Sequence, residues 1–387
     1  MEKVTLKELC FMQSGGTPSR KKLEYYVGDI PWAKISDLEK TKDGYISYTE
    51  EHISIEALKS INNRFFKSGT LLLAMYGSVG KTAITKIDLT TNQAILGINI
   101  LGKSKLDIKY LRFWFTTIKE QLLDRAVGAA LANISLGIVK ELEIPLPPLP
   151  TQQKIVAILD KADELRQYNR QLIEKYDALT QSLFLEMFGD PVHNSKKWEI
   201  TQFSEVGKLD RGKSKHRPRN APELLNGPYP LIQTGDVARS GGYITRFKST
   251  YSEFGLKQSK LWPKETLCIT IAANIAQTGI LTFEACFPDS VVGFVPNVKT
   301  NNIYVQNWMS FLQVMIEEKA PMAAQKNINL AILKQLDFML PPITLQNQFA
   351  ERVQAIEAQK QQAQEALEKS EQLFQGLLQQ AFKGELN

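Results

Sequence analysis

The chain has little of what most enzymes and secreted proteins are built around. Three cysteines (Cys10, Cys268, Cys286) in 387 residues provide neither a disulfide framework nor a zinc spacing. Three histidines (His52, His193, His216) are as far apart, so a His/Cys metal site is not expected. No apolar run approaches the ~18 residues of a membrane span. The first residues, MEKVTLKELC, lack the basic-then-apolar order of a signal peptide, and the expected compartment is the cytoplasm. There is no Asp/Asn-Pro-Pro-aromatic motif of an amino-methyltransferase and no Phe-x-Gly-x-Gly cofactor loop. No nucleophile–base arrangement is apparent in the order of the residues. What remains is an ordinary globular composition, 43% hydrophobic and 23% charged, with a net charge of +6 that leans mildly toward an anionic partner.

One stretch imitates a nucleotide site. Residues 75–84 read MYGSVGKTAI and contain Gly80-Lys81-Thr82. A phosphate-cradling loop needs a glycine five residues before Gly80, and Met75 stands there. The segment after Thr82 is β-branched and strand-like rather than the opening of a helix.

The chain is written twice. ANISLGIVKELEIPLPP (132–148) and KNINLAILKQLDFMLPP (326–342) lie 194 residues apart. Asn133, Ile134, Leu136, Ile138, Lys140 and Leu142 match Asn327, Ile328, Leu330, Ile332, Lys334 and Leu336. At the same offset EKYDALTQSLFLEMF (174–188) overlays EKSEQLFQGLLQQAF (368–382). At slightly larger offsets IPWAKISDL (30–38) overlays YPLIQTGDV (229–237), and Gly44-Tyr45-Ile46 overlays Gly242-Tyr243-Ile244. KSGTLLLAMYGSVGKTAI (67–84) overlays PKETLCITIAANIAQTGI (263–280), so the place of GSVGKT is held by NIAQTG in the other half. Triphosphate binding is therefore not required by the repeated architecture. One scaffold with two sets of surface residues suits two readers of different things.

Each half reads as a mixed domain followed by a long helix. In the first, strands are expected at 30–36, 70–76, 83–87 and 94–101, and a helix at 108–125. Prolines at 144–150 stiffen the exit, and Thr151 is expected to cap a helix that Gly189-Asp190-Pro191 ends. Its expected heptad seam is Ile155, Ile158, Ala162, Leu165, Asn169, Leu172, Tyr176, Leu179 and Leu183. The second helix, from about Leu345, offers Phe349, Val353 or Arg352, Ile356, Ala363, Ala366, Ser370, Leu373 and Leu377. A helix from Thr151 to Phe188 would be ~57 Å long at ~1.5 Å per residue. The expected fold is α+β: two globular mixed α/β domains (1–150 and 191–344) separated by two long antiparallel coiled-coil helices (151–190 and 345–387), related by a pseudo-twofold internal repeat.

Two basic loops occupy equivalent places. Arg211, Lys213, Lys215, Arg217 and Arg219 alternate with small residues in one half; SGGTPSRKK, with Thr17, Arg20, Lys21 and Lys22, fills the place in the other. Such loops can follow a phosphate backbone. Near them, Lys34, Ser36, Tyr76, Ser78 and Lys81, and in the second half Gln233, Thr234, Asn274 and Gln277, are candidates to contact base edges or phosphates. Two other readings stay open on these residues alone: a nucleotide-binding enzyme using the Gly80-Lys81-Thr82 loop, and a helical scaffold without DNA binding.

Two variable domains, each ending in N-I-x-L-x-x-x-K-x-L-x-x-x-x-P-P followed by Gln and a long helix, closely resemble the specificity subunit of type I restriction–modification systems. The I-P-W…S-D-L stretch and the basic Gly-containing loops agree with it. NIAQTG departs from it, because the family often keeps a glycine-rich loop there. The resemblance implies two target-recognition domains that each read one part of a split, asymmetric double-stranded DNA site. It implies helices that set the unread gap and dock two modification subunits, and motor–nuclease subunits that complete the restriction enzyme. S-adenosylmethionine and adenine methylation then belong to the modification subunits, and this chain carries no catalytic, cofactor or metal residues of its own.

Overall fold

A computed structural model describes residues 2–102, 106–126, 133–272, 276–311 and 329–386. It divides into two units. One comprises Met1–Leu172 with Ala363–Asn387, the other Ile173–Gln362, so each holds one domain and part of each long helix.

In the first unit, Cys10–Ser14, Ile95–Ile100, Leu71–Ala74, Thr82–Thr85 and Tyr45–Ile46 lie in that order in a five-stranded sheet. All neighbours are antiparallel except the last pair. A three-stranded sheet of Glu51–Ile53, Ile30–Ala33 and Thr90–Thr91 packs beside it. The second unit repeats the five-stranded order with Gly207–Arg211, Val291–Pro296, Leu267–Thr270, Thr278–Leu281 and Tyr243–Ile244. The strands Leu71–Ala74 and Leu267–Thr270 are buried along their whole length, which is why they read as continuous apolar runs rather than alternating ones.

The second unit has its own smaller sheet, of Ser249–Tyr251, Leu225–Leu231, Ala285–Cys286 and Leu261–Trp262, and in each unit a core aromatic presses on a glycine of the five-stranded sheet. A Cβ on Gly97 would lie 2.2 Å from the Phe66 ring, and one on Gly293 would lie 2.6 Å from the Trp262 ring. Each aromatic is buried in the core where the sheets meet, and only glycine leaves it room.

The expected helix at 108–125 is two helices, Ile108–Thr117 and Lys119–Ala126. Asp107 caps the first by accepting from the Lys109 and Tyr110 amides, and Asn301 caps its counterpart Asn302–Met309. The long helices span Leu149–Phe188 and Ile343–Lys383. Thr151 therefore lies in the first turn rather than at the cap, whereas Gly189, at φ +79°, ends the helix as expected.

The glutamine after each Pro-Pro is buried and fastens the start of its helix. Gln152 accepts from the Asp107 amide (2.8 Å) and donates to the Pro147 carbonyl (2.8 Å). Gln346 does the same with the Asn301 amide (3.0 Å) and the Pro341 carbonyl (2.8 Å). Beside them Tyr110 donates to the Pro145 carbonyl and Tyr304 to that of Met339. Phe382 packs on Tyr110 within the first unit, and Phe188 on Tyr304 within the second.

Within each unit the helices pair antiparallel. In the first, Arg166 meets Glu371 while Asn169 meets Ser370. In the second, Asp177 meets Lys360 while Phe184 and Phe188 meet Phe349.

The seam is only partly the one expected. Ile155, Ala162, Phe349 and Ala363 are buried in it, and Leu172, Tyr176, Leu183, Ile356 and Leu377 are half-buried. Ile158, Leu165, Leu179 and Leu373 are 38–50% exposed and do not belong to it. Their places are taken one residue later by Leu159, Arg166, Thr180 and Phe374. Polar side chains on the buried face find partners across the pair or on their own helix, and Ile158, Leu165 and Leu179 are left exposed. No described helix is long and apolar enough to cross a membrane.

Candidate nucleic-acid interface

The loop 75–81 is a hairpin turn between two antiparallel strands, Leu71–Ala74 and Thr82–Thr85. The Gly80 amide donates to the Ala74 carbonyl (3.1 Å) and the Lys81 amide to that of Ser78 (3.0 Å). These N–H groups are consumed inside the turn and cannot cradle a phosphate. Gly80 has φ +81°, and Ala276 holds the matching position at φ +62° with the matching bond to Thr270. The turn is thus architectural in both halves. Lys81 is half-buried, and that burial, with Lys119 near by, holds its ammonium below the usual lysine range. Asn274 lies outside the described residues; Gln277 is exposed and takes the position of Lys81.

The repeated N-I/N-I-x-L block has a positional role. The Ile134 amide donates to the Met75 carbonyl (3.0 Å), which ties the block to the hairpin turn next to the exposed Tyr76. Ser135 then caps Leu136–Lys140, as Asn329 caps Leu330–Lys334.

The repeated aspartate is also explained. Asp37 accepts from the Lys34 amide (2.7 Å) and Asp236 from the Gln233 amide (3.0 Å), each at the first turn of a short helix. Lys34 and Gln233 are therefore true counterparts. The same register sets Ser36 against Gly235 rather than Thr234, so the sequence pairing there is shifted by one.

In the first unit acidic residues link several of the candidates. Glu51 binds both Arg20 (3.0 Å) and Lys34 (2.5 Å), and the Arg20 guanidinium lies over the Tyr26 ring at 4.2 Å. Those contacts hold the Glu51 carboxyl below its usual range against the opposing effect of burial. Ser78 donates to Glu39, which joins the hairpin turn to the Ile35–Lys40 helix. Thr17 bonds Gln93, Lys22 reaches the Tyr25 hydroxyl (3.1 Å), and Lys21 is exposed.

In the second unit the basic loop alternates as its sequence suggests. Arg211, Lys213, Lys215, Arg217 and Arg219 are exposed while Gly212 and Ser214 are buried. Its cations are not equally available. The Arg211 Nε donates to the Asp289 carbonyl (2.8 Å), and Arg219 pairs with the Asp289 carboxylate (2.7 Å). Arg217 folds back on the Ser214 and His216 carbonyls. Lys213 and Lys215 have no acidic partner among the described residues, and both point a free ammonium outward. Sequence reasoning missed Glu51, Glu39 and Asp289; each is distant in the chain from the cation or hydroxyl it binds, and no motif marks it.

With this geometry in view, the whole chain can be placed. The family model of the type I restriction modification DNA specificity domain matches residues 1–175 and again 195–369. The chain belongs to that family. Among curated relatives it is 30% identical over 273 residues to the type I restriction enzyme MjaIX specificity subunit of Methanocaldococcus jannaschii, an alignment spanning 66% of this chain and 62% of that protein. It is 25% identical over 389 residues to the putative MjaX specificity subunit of the same organism, covering 93% and 87%. In fold it resembles the crystal structure of a type I restriction–modification S subunit from M. genitalium, with a TM-score of 0.59 at 16% identity over 98% of this chain and 96% of that one. The two family matches coincide with the two sequence repeats, so each domain with the adjoining part of its helix is one copy of the family unit.

Proposed function

We propose that this chain is the DNA-reading specificity subunit of a type I restriction–modification assembly. Each domain reads one part of a bipartite, asymmetric site, and the long helices fix the gap. One observation carries this reading: two copies of one scaffold present different side chains at matched places, Lys34 against Gln233 and Lys81 against Gln277. Two dissimilar readings joined in one chain specify a longer address than either alone.

The pattern of free cations fits the division of labour expected of such a reader. Phosphate contacts supply affinity that falls with salt, and base contacts supply the choice of sequence. Lys21, Lys213 and Lys215 suit the first task; Gln233 and Gln277 suit the second. The exposed apolar side chains of Ile158 and Leu165 support docking of modification subunits, which would bring S-adenosylmethionine and the methyl-transfer chemistry. In this reading the chain itself performs no catalysis and acts in the cytoplasm alongside motor–nuclease subunits.

The test is to express the chain with a cognate modification subunit in a methylation-free host and to map modified adenines by single-molecule sequencing. A split motif with a fixed unread gap is expected. Methylation at a single continuous motif, or none above the modification subunit alone, overturns the reading.

A further inference from the structure

The loop joining Tyr243–Ile244 to Ser249–Tyr251 was not among the residues the sequence singled out, yet it is strongly one-sided in charge. Arg246, Phe247 and Lys248 are all exposed on it. Together with Arg239 and Asp236 they line an open cleft of about 450 Å³. Asp236 is the cleft's one carboxylate, and it is already engaged: one oxygen accepts from the Gln233 amide at 3.0 Å. Its other oxygen stands 3.6 Å from Arg239, a loose pair. No described acid pairs Arg246 or Lys248. The Phe247 ring, half exposed, is held edge-on against Phe283 at 5.3 Å and 72°, so the loop presents a fixed apolar face between its two cations.

The matched place in the first domain is electrically different. With Tyr45 set against Tyr243, Arg239, Arg246 and Lys248 face Thr41, Tyr48 and Glu50. The cleft there, about 310 Å³, mixes Lys40 and Lys42 with Asp37 and Asp43. Lys40 is paired with Glu50, and Asp43 with Lys86 at 3.5 Å. That cleft is balanced; the one in the second domain carries a surplus of two positive charges.

The cleft also adjoins the second domain's reading surface. Ser240, on its wall, donates to the Thr278 carbonyl (3.4 Å) next to Gln277, and Asp236 belongs to the helix that Gln233 opens. We propose that Arg239, Arg246 and Lys248 form a backbone clamp for duplex DNA, with Phe247 against the sugar edge, that the second domain has and the first lacks. This rests on the DNA-reading function above and adds to it an asymmetry: the second domain carries more of the phosphate-dependent affinity.

The experiment is retention of a random-sequence duplex by the full-length chain, measured across a salt series. Each phosphate contact contributes roughly 0.9 to the slope of log affinity against log salt. The variant Arg239→Ala/Arg246→Ala/Lys248→Ala is expected to flatten the wild-type slope by about two to three. Phe247→Ala is expected to weaken retention several-fold at every salt concentration with the slope unchanged. All four side chains are exposed, so far-UV circular dichroism should match the wild type. A triple-variant slope equal to the wild type's overturns the clamp while leaving the DNA reading intact. A wild-type chain without salt-dependent retention overturns the DNA reading itself.

Discussion

Lys360 reaches Asp177 across the helix pair at 2.5 Å, and its ammonium is almost wholly buried there. Glu357, three residues before it, stands 3.9 Å away. In the first unit Arg166 reaches Glu371 at 2.9 Å with Asp163 three residues before it, and lies over the Phe374 ring at 3.9 Å. Every member of one set is 194 residues from its counterpart, so the duplication preserved an acid–base–acid crossing inside each helix pair.

Removing Asp177 leaves the buried Lys360 charge with only its looser partner, Glu357 at 3.9 Å. Asp177→Ala is expected to destabilise the second unit by about 1–2 kcal/mol, less than for a fully enclosed pair because Asp177 is itself largely exposed. Asp177→Ala/Lys360→Met should recover most of the loss. Urea unfolding of Asp177→Ala, Lys360→Met and the double variant closes the cycle; a double variant as weak as Asp177→Ala would show that the charge left on Lys360 is not what destabilises that single variant.

Burial raises the Glu357 carboxyl above its usual range, opposed by Lys360 and assisted by Asp177. The folded state therefore holds this proton more tightly than the unfolded chain. Stability from this group is fully present below the unfolded value near 4.5 and is lost as pH rises through the raised folded value. Glu357→Gln should flatten that part of the stability profile and raise Tm at neutral pH relative to wild type. An unaltered profile between about pH 4 and 7 would remove Glu357 as its source.

Gln346 has both ends of its amide satisfied in the core, and so has Gln152. Gln346→Ala leaves the Pro341 carbonyl and the Asn301 amide without it and is expected to cost about 1–3 kcal/mol. Gln346→Glu should be no better, because a carboxylate cannot donate to Pro341. Thermal unfolding of the full chain decides between these outcomes.

Gly97→Ala forces a methyl group into the Phe66 ring and is expected to destabilise by about 1–3 kcal/mol. Combining it with Phe66→Leu should restore part of the loss. Hydrogen exchange of the Leu71–Ala74 amides gives the readout, since that strand pairs directly with Ile95–Ile100.

If the long helices set the gap, deleting residues 165–168 should change the spacing of the methylated motif while both half-sites stay the same. Methylome sequencing reads both quantities at once. An unchanged gap would separate spacing from helix length.

By itself the sequence determined the duplication, the α+β domains, the presence of the two long helices and the mismatch of the GSVGKT stretch with a phosphate loop. These rest on patterns local to a segment or repeated at a fixed offset, which a linear reading carries in full. Tertiary structure alone decided which face of each helix is buried. Ile158, Leu165 and Leu179 have the apolar spacing of a seam. The chain instead buries Asp163, Asn169 and Thr180 and half-buries Arg166, which is tolerable only because Glu371, Ser370 and Phe374 meet them from the other helix or a local partner satisfies them. It also decided which basic residues are free, because Glu51 and Asp289 neutralise Arg20, Lys34 and Arg219 from distant parts of the chain. A charge is visible in a sequence; its partner is fixed only when the backbone brings two remote segments within hydrogen-bond reach.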